Sequence, residues 1–189
     1  MRITGGQARG ITLVLPKGDS VRPATDALRQ SVFSSIAGHV PDARFLDLFA
    51  GSGAYGLEAF SRGAKAGTFV EKNARTAGFI HQNIAAVCKS LARPTDGLQV
   101  VTADATTTMP GEPPDLVFVD PPYEMIPEVA PKIFAKLTEL LATKKDALVI
   151  FEMPGELELK PPGWTSVKRL GKGARQPTAV IFRSAPALP

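Results

Sequence analysis

From residue 45 onward, short apolar runs alternate with stretches of helical periodicity, and that alternation leaves few folds open. Residues 45–49, 68–71, 98–102, 116–119 and 147–151 read as strands. A helix is expected from about Gly53 to Arg62, with Gly63 suited to its C-terminal cap. A second follows Asn73, a good N-cap, and carries Ile80, Ile84, Val87 and Leu91 on one face. Pro131 is expected to open a third, with Ile133, Phe134, Leu137, Leu140 and Leu141. Strands alternating with helices imply an α/β fold with a mostly parallel sheet covered on both faces. Residues 164–170 and 178–182 follow without an intervening helix. They read as a terminal hairpin that brings the sheet to seven strands, one of which runs antiparallel. In such Rossmann-like sheets, ligands bind outside the carboxyl ends of the strands.

Residues 1–40 read as a small extension in front of a domain spanning 41–189. Residues 11–15 form a short strand that Ile3 can partner. Thr25 is the expected N-cap of a helix, Asp26 suits its positive start, and Leu28, Val32 and Ile36 share a face. With 189 residues the chain can bury a full core. It has no apolar run of membrane-spanning length and no signal-peptide start, so a cytoplasmic address is expected. One cysteine and two histidines exclude an internal disulfide and give no basis for a metal site. Cys88 itself is expected to be a small buried hydrophobe. The formal net charge is +4. Basic residues gather at both ends, and from residue 159 on there are six with no acid. This suits a nucleic-acid partner without establishing one.

Gly51-Ser52-Gly53-Ala54-Tyr55-Gly56 matches G-x-G-x-x-G between a strand and a helix, and Glu71 follows 20 positions after Gly51. Alone this is a dinucleotide fingerprint, with the acid placed for a ribose diol. Asp47 argues against a pyrophosphate. Two like charges at close range cost about 4 kcal/mol at an effective dielectric of 20. An acid there favours the cationic ammonium and sulfonium of S-adenosylmethionine, or it ties down the loop backbone. Asp104, after the third strand, is placed to accept from an adenine amino group, with Ala105 beside it and Lys72 next to Glu71.

The most specific feature is Asp120-Pro121-Pro122-Tyr123, at the end of the fourth strand. Two prolines fix the backbone and remove two donors, leaving carbonyls free to accept. An aryl amine is a poor nucleophile because its lone pair is delocalised. Accepting its two hydrogens on the Asp120 carboxylate and the Pro121 carbonyl frees that lone pair. Tyr123 offers a face on which an extruded base can stack, a contact worth about 1–3 kcal/mol. The expected reaction is therefore methylation of an exocyclic amino nitrogen.

The chain resembles the bacterial 16S ribosomal RNA guanine-N2 methyltransferases of the RsmD family. The segments that carry the resemblance are residues 2–10, residues 22–33, residues 46–59 around the glycine loop, and residues 117–123. The resemblance implies a class I S-adenosylmethionine-dependent methyltransferase acting on the position-966 guanine of 16S ribosomal RNA in an assembling small subunit, as a monomer. It adds Phe49, Ala50 and Ser52 to the cofactor loop. Arg2, Arg9, Arg22 and Arg29 are the expected RNA contacts of the extension, joined by Lys172 and Arg175 in the terminal hairpin loop. Any one of these arginines could instead sit in a local ion pair, and Asp26 is a partner within reach of Arg22 and Arg29. The family commonly has Arg at position 27 and Glu at position 30, where this chain has Ala27 and Gln30. Three other readings compete: an adenine-N6 methyltransferase on DNA or RNA, a nicotinamide oxidoreductase, and a non-enzymatic RNA-binding assembly factor.

Overall fold

The computed structural model describes residues 1–15, 23–109, 111–171, 173 and 176–185. Seven strands form one sheet: β1 (Arg44–Leu48), β2 (Ala66–Glu71), β3 (Leu98–Thr102), β4 (Leu116–Val119), β5 (Leu148–Pro154), β6 (Trp164–Leu170) and β7 (Pro177–Ser184). Their order is β3-β2-β1-β4-β5-β7-β6. The strands from β3 to β5 are parallel. β7 runs antiparallel between β5 and β6, as a terminal hairpin requires. The strand order reverses at β1 and β4, the crevice where α/β sheets bind ligands.

Alternate residues of each strand go to opposite faces. Phe45, Phe118, Ile150 and Ile181 pack on one side with α1 (Pro23–Ser35), α2 (Ala54–Ser61) and α3 (Ala74–Leu91). Leu46, Val117, Val149 and Phe182 pack on the other with α4 (Ile126–Leu140) and Trp164. α2 lies close over β1 and β2 because of two glycines. A Cβ on Gly56 would come within 2.5 Å of both Phe45 and Phe69, and one on Gly67 would strike Phe45. The Phe45 and Phe69 rings meet edge to face at 5.3 Å where those side chains are missing.

Two helix starts differ from expectation. α1 opens at Pro23, so Thr25 lies within its first turn. Proline is favoured at a first helical position because its φ is already set and its missing donor is not needed there. α4 opens at Ile126 with Pro127 in its first turn, and Pro131 sits inside it. A short 3-10 turn, Tyr123–Met125, runs directly into α4 and starts the helix early. Asn73 caps α3 by accepting from the Arg75 and Thr76 amides. Cys88 is buried, and burial pushes its thiol pKa up. No helix among the described residues is long and apolar enough to cross a membrane.

The N-terminal extension is bound into this core. Residues 1–13 form a short hairpin, with Arg2 bridged to Thr12, and Ile3, Ala8 and Leu13 are buried in the same cluster as Phe33 and Leu57. Glu58 of α2, fully buried, is the hub. It accepts from the Thr4 amide and hydroxyl, from Arg29 and from Arg62. Ser61 adds a bond to the Gly5 carbonyl and another from the Ala8 amide.

Candidate active site

The parity that sorts the core also sorts the acids. Asp47 on β1, Asp120 just past β4 and Glu152 on β5 fall on the face of Phe45, Phe118 and Ile150. Asp120 and Glu152 are the next positions after the register pair Val119 and Phe151. Adjacent strands lie about 4.8 Å apart, so these two carboxyls are neighbours. Tyr55 donates to one Glu152 oxygen at 2.7 Å, and the Tyr123 hydroxyl lies 3.5 Å from the other. Burial, then the Glu152 and Asp47 charges, hold Asp120 well above the usual carboxylate range, with Arg29 opposing. Burial, then Glu152 and Asp120, push the Tyr55 phenol up as well.

Outside the carboxyl ends of the strands is a cleft of about 780 Å³. It brings together the expected residues Phe49, Gly51, Glu71, Lys72, Asp104, Ala105, Asp120, Pro121, Pro122 and Tyr123. The backbone there is tightly specified. Gly51 and Gly53 have φ of 53° and 77°, and Phe49, which is not glycine, sits at 58°. Such strain persists where the surrounding structure enforces it, and it clusters at functional sites. Glu71 enforces part of it, accepting from the Gly51 amide at 3.0 Å and the Asn73 amide at 2.8 Å. Asp104 is ion-paired with Lys72 at 2.8 Å and accepts from both the amide and hydroxyl of Thr106. The Lys72 and Thr106 bonds pull its pKa down to about 2.

Asp47 requires a correction. It is 2% exposed, lies outside the cleft lining, and accepts the Gly56 amide at 2.9 Å. Burial lifts its pKa to about 8, against the opposing bond from the Gly56 amide. It ties down the start of α2 from behind the cleft wall. Among the described residues, the cleft wall itself is acidic, with Glu71, Asp104, Asp120, Glu124 and Glu152 beside one basic side chain, Lys72. Ala50, Ser52 and Gly53 also stay behind the wall. The Ala50 amide extends the sheet to the Val70 carbonyl, and Gly53 caps α2 in a left-handed conformation.

Arg29 requires another. It is 2% exposed and bonded to Glu58, Asp26 and the Arg2 carbonyl, so no RNA phosphate can reach it. The local ion pair with Asp26 is the reading that holds. Arg2 and Arg9 are exposed. Arg22, Lys172 and Arg175 lie outside the described residues.

Three residues of the site escaped the sequence reading. Glu152 did so because the fifth strand was ended at Phe151, whereas β5 continues to Pro154. An acid in the run Phe151-Glu152-Met153 was the available signal, since a buried charge needs a partner. Tyr55 stands at a variable position of the glycine motif, where nothing in the sequence points to its bond with Glu152. Asn83 of α3, 1% exposed, donates to the Ser52 and Val14 carbonyls and accepts from the Val14 amide, so it clamps the glycine loop to the N-terminal hairpin.

The profile of the family described as conserved hypothetical protein 95 matches residues 1–180. The chain belongs to that family, the RsmD family expected from its motifs. It is 40% identical over 125 residues to ribosomal RNA small subunit methyltransferase D of Escherichia coli K12; that match covers 65% of this chain and 60% of the relative. The corresponding protein of Haemophilus influenzae is 29% identical over 175 residues, 92% of this chain and 89% of the relative. The solved structure of Escherichia coli yhhF superposes with a TM-score of 0.76 at 32% identity, covering 98% of each chain. The class I methyltransferase fold is thereby shared across this RsmD-family chain.

Proposed function

We propose that this protein transfers a methyl group from S-adenosylmethionine to the N2 amino group of a guanine in 16S ribosomal RNA, the position-966 guanine, on an assembling small subunit. One observation carries the reading: Asp120-Pro121-Pro122-Tyr123 lines the same cleft as the glycine loop and Glu71, in a chain whose relatives are named small-subunit ribosomal RNA methyltransferases.

The cleft suits the cofactor. Its wall is acidic, which attracts a cation and opposes a pyrophosphate, and this speaks against a nicotinamide dinucleotide. Glu71 would accept from the ribose hydroxyls, the Gly51 backbone would lie along the cofactor, and Asp104 and Ala105 would flank its adenine. When bound, S-adenosylmethionine supplies an electrophilic methyl carbon. The protein supplies position and charge. Asp120 and the Pro121 carbonyl accept the two amino hydrogens and turn the nitrogen lone pair outward. Tyr123 stacks against the base. The surplus proton of the methylated amine has an acceptor in Asp120, whose proton affinity burial and Glu152 raise. Exposed Arg2 and Arg9, with Arg22, Lys172 and Arg175, would hold the RNA backbone, which gives the extension and the hairpin loop an RNA-facing role.

The test is tritium transfer from methyl-labelled S-adenosylmethionine to small-subunit particles from cells lacking the enzyme, followed by nucleoside analysis. Label in N2-methylguanosine is expected. Label in N6-methyladenosine would keep the mechanism and overturn the substrate. Cofactor binding with no transfer to any RNA would favour an assembly factor without catalysis.

A further inference from the structure

We infer that Glu152 reads the N1–H of the target guanine and so makes the site selective for guanine over bases whose N1 is an unprotonated acceptor; this rests on the guanine-N2 reading above. Guanine presents its amino group beside a ring N1–H, two donors on one edge, whereas adenine presents an amino group beside a bare N1 lone pair. A base whose amino group is held by Asp120 and the Pro121 carbonyl therefore brings N1 toward the next carboxyl along the wall. Glu152 occupies that place. It is one strand over from Asp120, in register with it, on the same face, and in the lining of the same cleft.

The geometry also fixes what Glu152 can offer. It is 5% exposed, so its side chain is confined. One oxygen takes the Tyr55 hydrogen at 2.7 Å, and Tyr55 is itself locked by stacking on Phe118 at 5.3 Å. That bond fixes the orientation of the carboxyl. The other oxygen points along the wall toward Tyr123, where the base would stack. An acceptor held this way welcomes N1–H and repels an N1 lone pair. Sites built to hydrogen-bond one partner discriminate against the analogue that turns a lone pair toward the same acceptor.

The experiment uses the full chain and small-subunit particles rebuilt with ribosomal RNA carrying guanine or 2-aminopurine at the methylated position. 2-Aminopurine keeps the amino group and replaces N1–H with a lone pair. It also loses O6, so the comparison is made across a substitution. The wild-type protein is expected to favour guanine in kcat/KM by about 100-fold or more. Glu152→Gln, which can donate as well as accept, is expected to cut that preference by about tenfold or more. Its affinity for S-adenosylhomocysteine and its Tm should stay near wild type, which a merely structural role would not allow. Should Glu152→Gln fail to fold, Glu152→Asp, which keeps the carboxyl but draws it back by one methylene, is the second variant, and it is expected to lower the same preference. A ratio near one, or an equal ratio in both proteins, overturns the N1 assignment. No transfer to the guanine RNA by the wild-type protein overturns the underlying reading instead.

Discussion

Tyr55 and Glu152 are joined across 2.7 Å, which ties the helix after the glycine loop to the strand beside Asp120. The cofactor side and the base side of the cleft therefore share one buried hydrogen bond. Tyr55→Phe removes it and leaves the ring packing intact. A loss of about 1–2 kcal/mol in unfolding free energy is expected, together with a fall in kcat. Chemical denaturation and single-turnover transfer would check both, and an unchanged kcat would count against the coupling.

Asp120→Ala should abolish transfer and leave cofactor affinity within a few-fold of wild type. Calorimetric titration with S-adenosylhomocysteine alongside the tritium assay separates the two. Equal losses in both would remove Asp120 from the role of amino-hydrogen acceptor.

Activity should rise with pH. Asp120 must be ionised to accept an amino hydrogen, and its surroundings raise its pKa, so the acidic limb of the profile lies above the usual carboxylate range. Glu152→Gln removes the nearby charge that is the second cause of that rise, after burial. The limb should then move to lower pH in a kcat profile, and a shift the other way would contradict the cluster.

Asp47 makes a separate prediction for stability. Its folded pKa of about 8 lies above the ordinary carboxylate value of 3.8, so the folded state holds a proton that the unfolded state has lost. Stability therefore falls as pH rises from about 4 toward 8 and levels off beyond. Asp47→Asn keeps an acceptor for the Gly56 amide and removes the titration. It should be more stable than wild type by roughly 2 kcal/mol at pH 9 relative to pH 6, as read from denaturation midpoints.

Arg29 and Arg9 should part company under substitution. Arg29→Ala takes one of two ion pairs from buried Glu58, with Arg62 keeping the other, and should destabilise by about 1–3 kcal/mol. Arg9→Ala should leave Tm unchanged and weaken RNA binding, with a shallower dependence on salt. A flat salt response in the wild-type protein would argue against an RNA interface at the extension.

Periodicity exposed most of the fold, because strands buried on both faces leave apolar runs that stand out against helical spacing. Motif chemistry likewise exposed the cleft, since Glu71, Asp104 and Asp120 each end a strand or follow one closely. What stayed hidden was set by tertiary context. Asp47 and Arg29 look alike in sequence to ligand-facing groups, and only burial distinguishes them. Glu152 lies just past the expected strand end at Phe151, in a strand that runs three residues further, to Pro154. The two helix starts failed because a proline can open a helix or sit within its early turns, and nothing local decides which.

Asn83 leaves one more consequence. By holding both the Ser52 carbonyl and the backbone of Val14, it makes the glycine loop and the N-terminal hairpin a single mechanical unit. Whatever shifts the hairpin shifts the loop, and linkage runs both ways with the same factor. An RNA that displaces the hairpin must alter the hold on the cofactor, and a bound cofactor must alter the hold on RNA to an equal degree. That coupling would then run through one asparagine side chain, far from the atom that receives the methyl group.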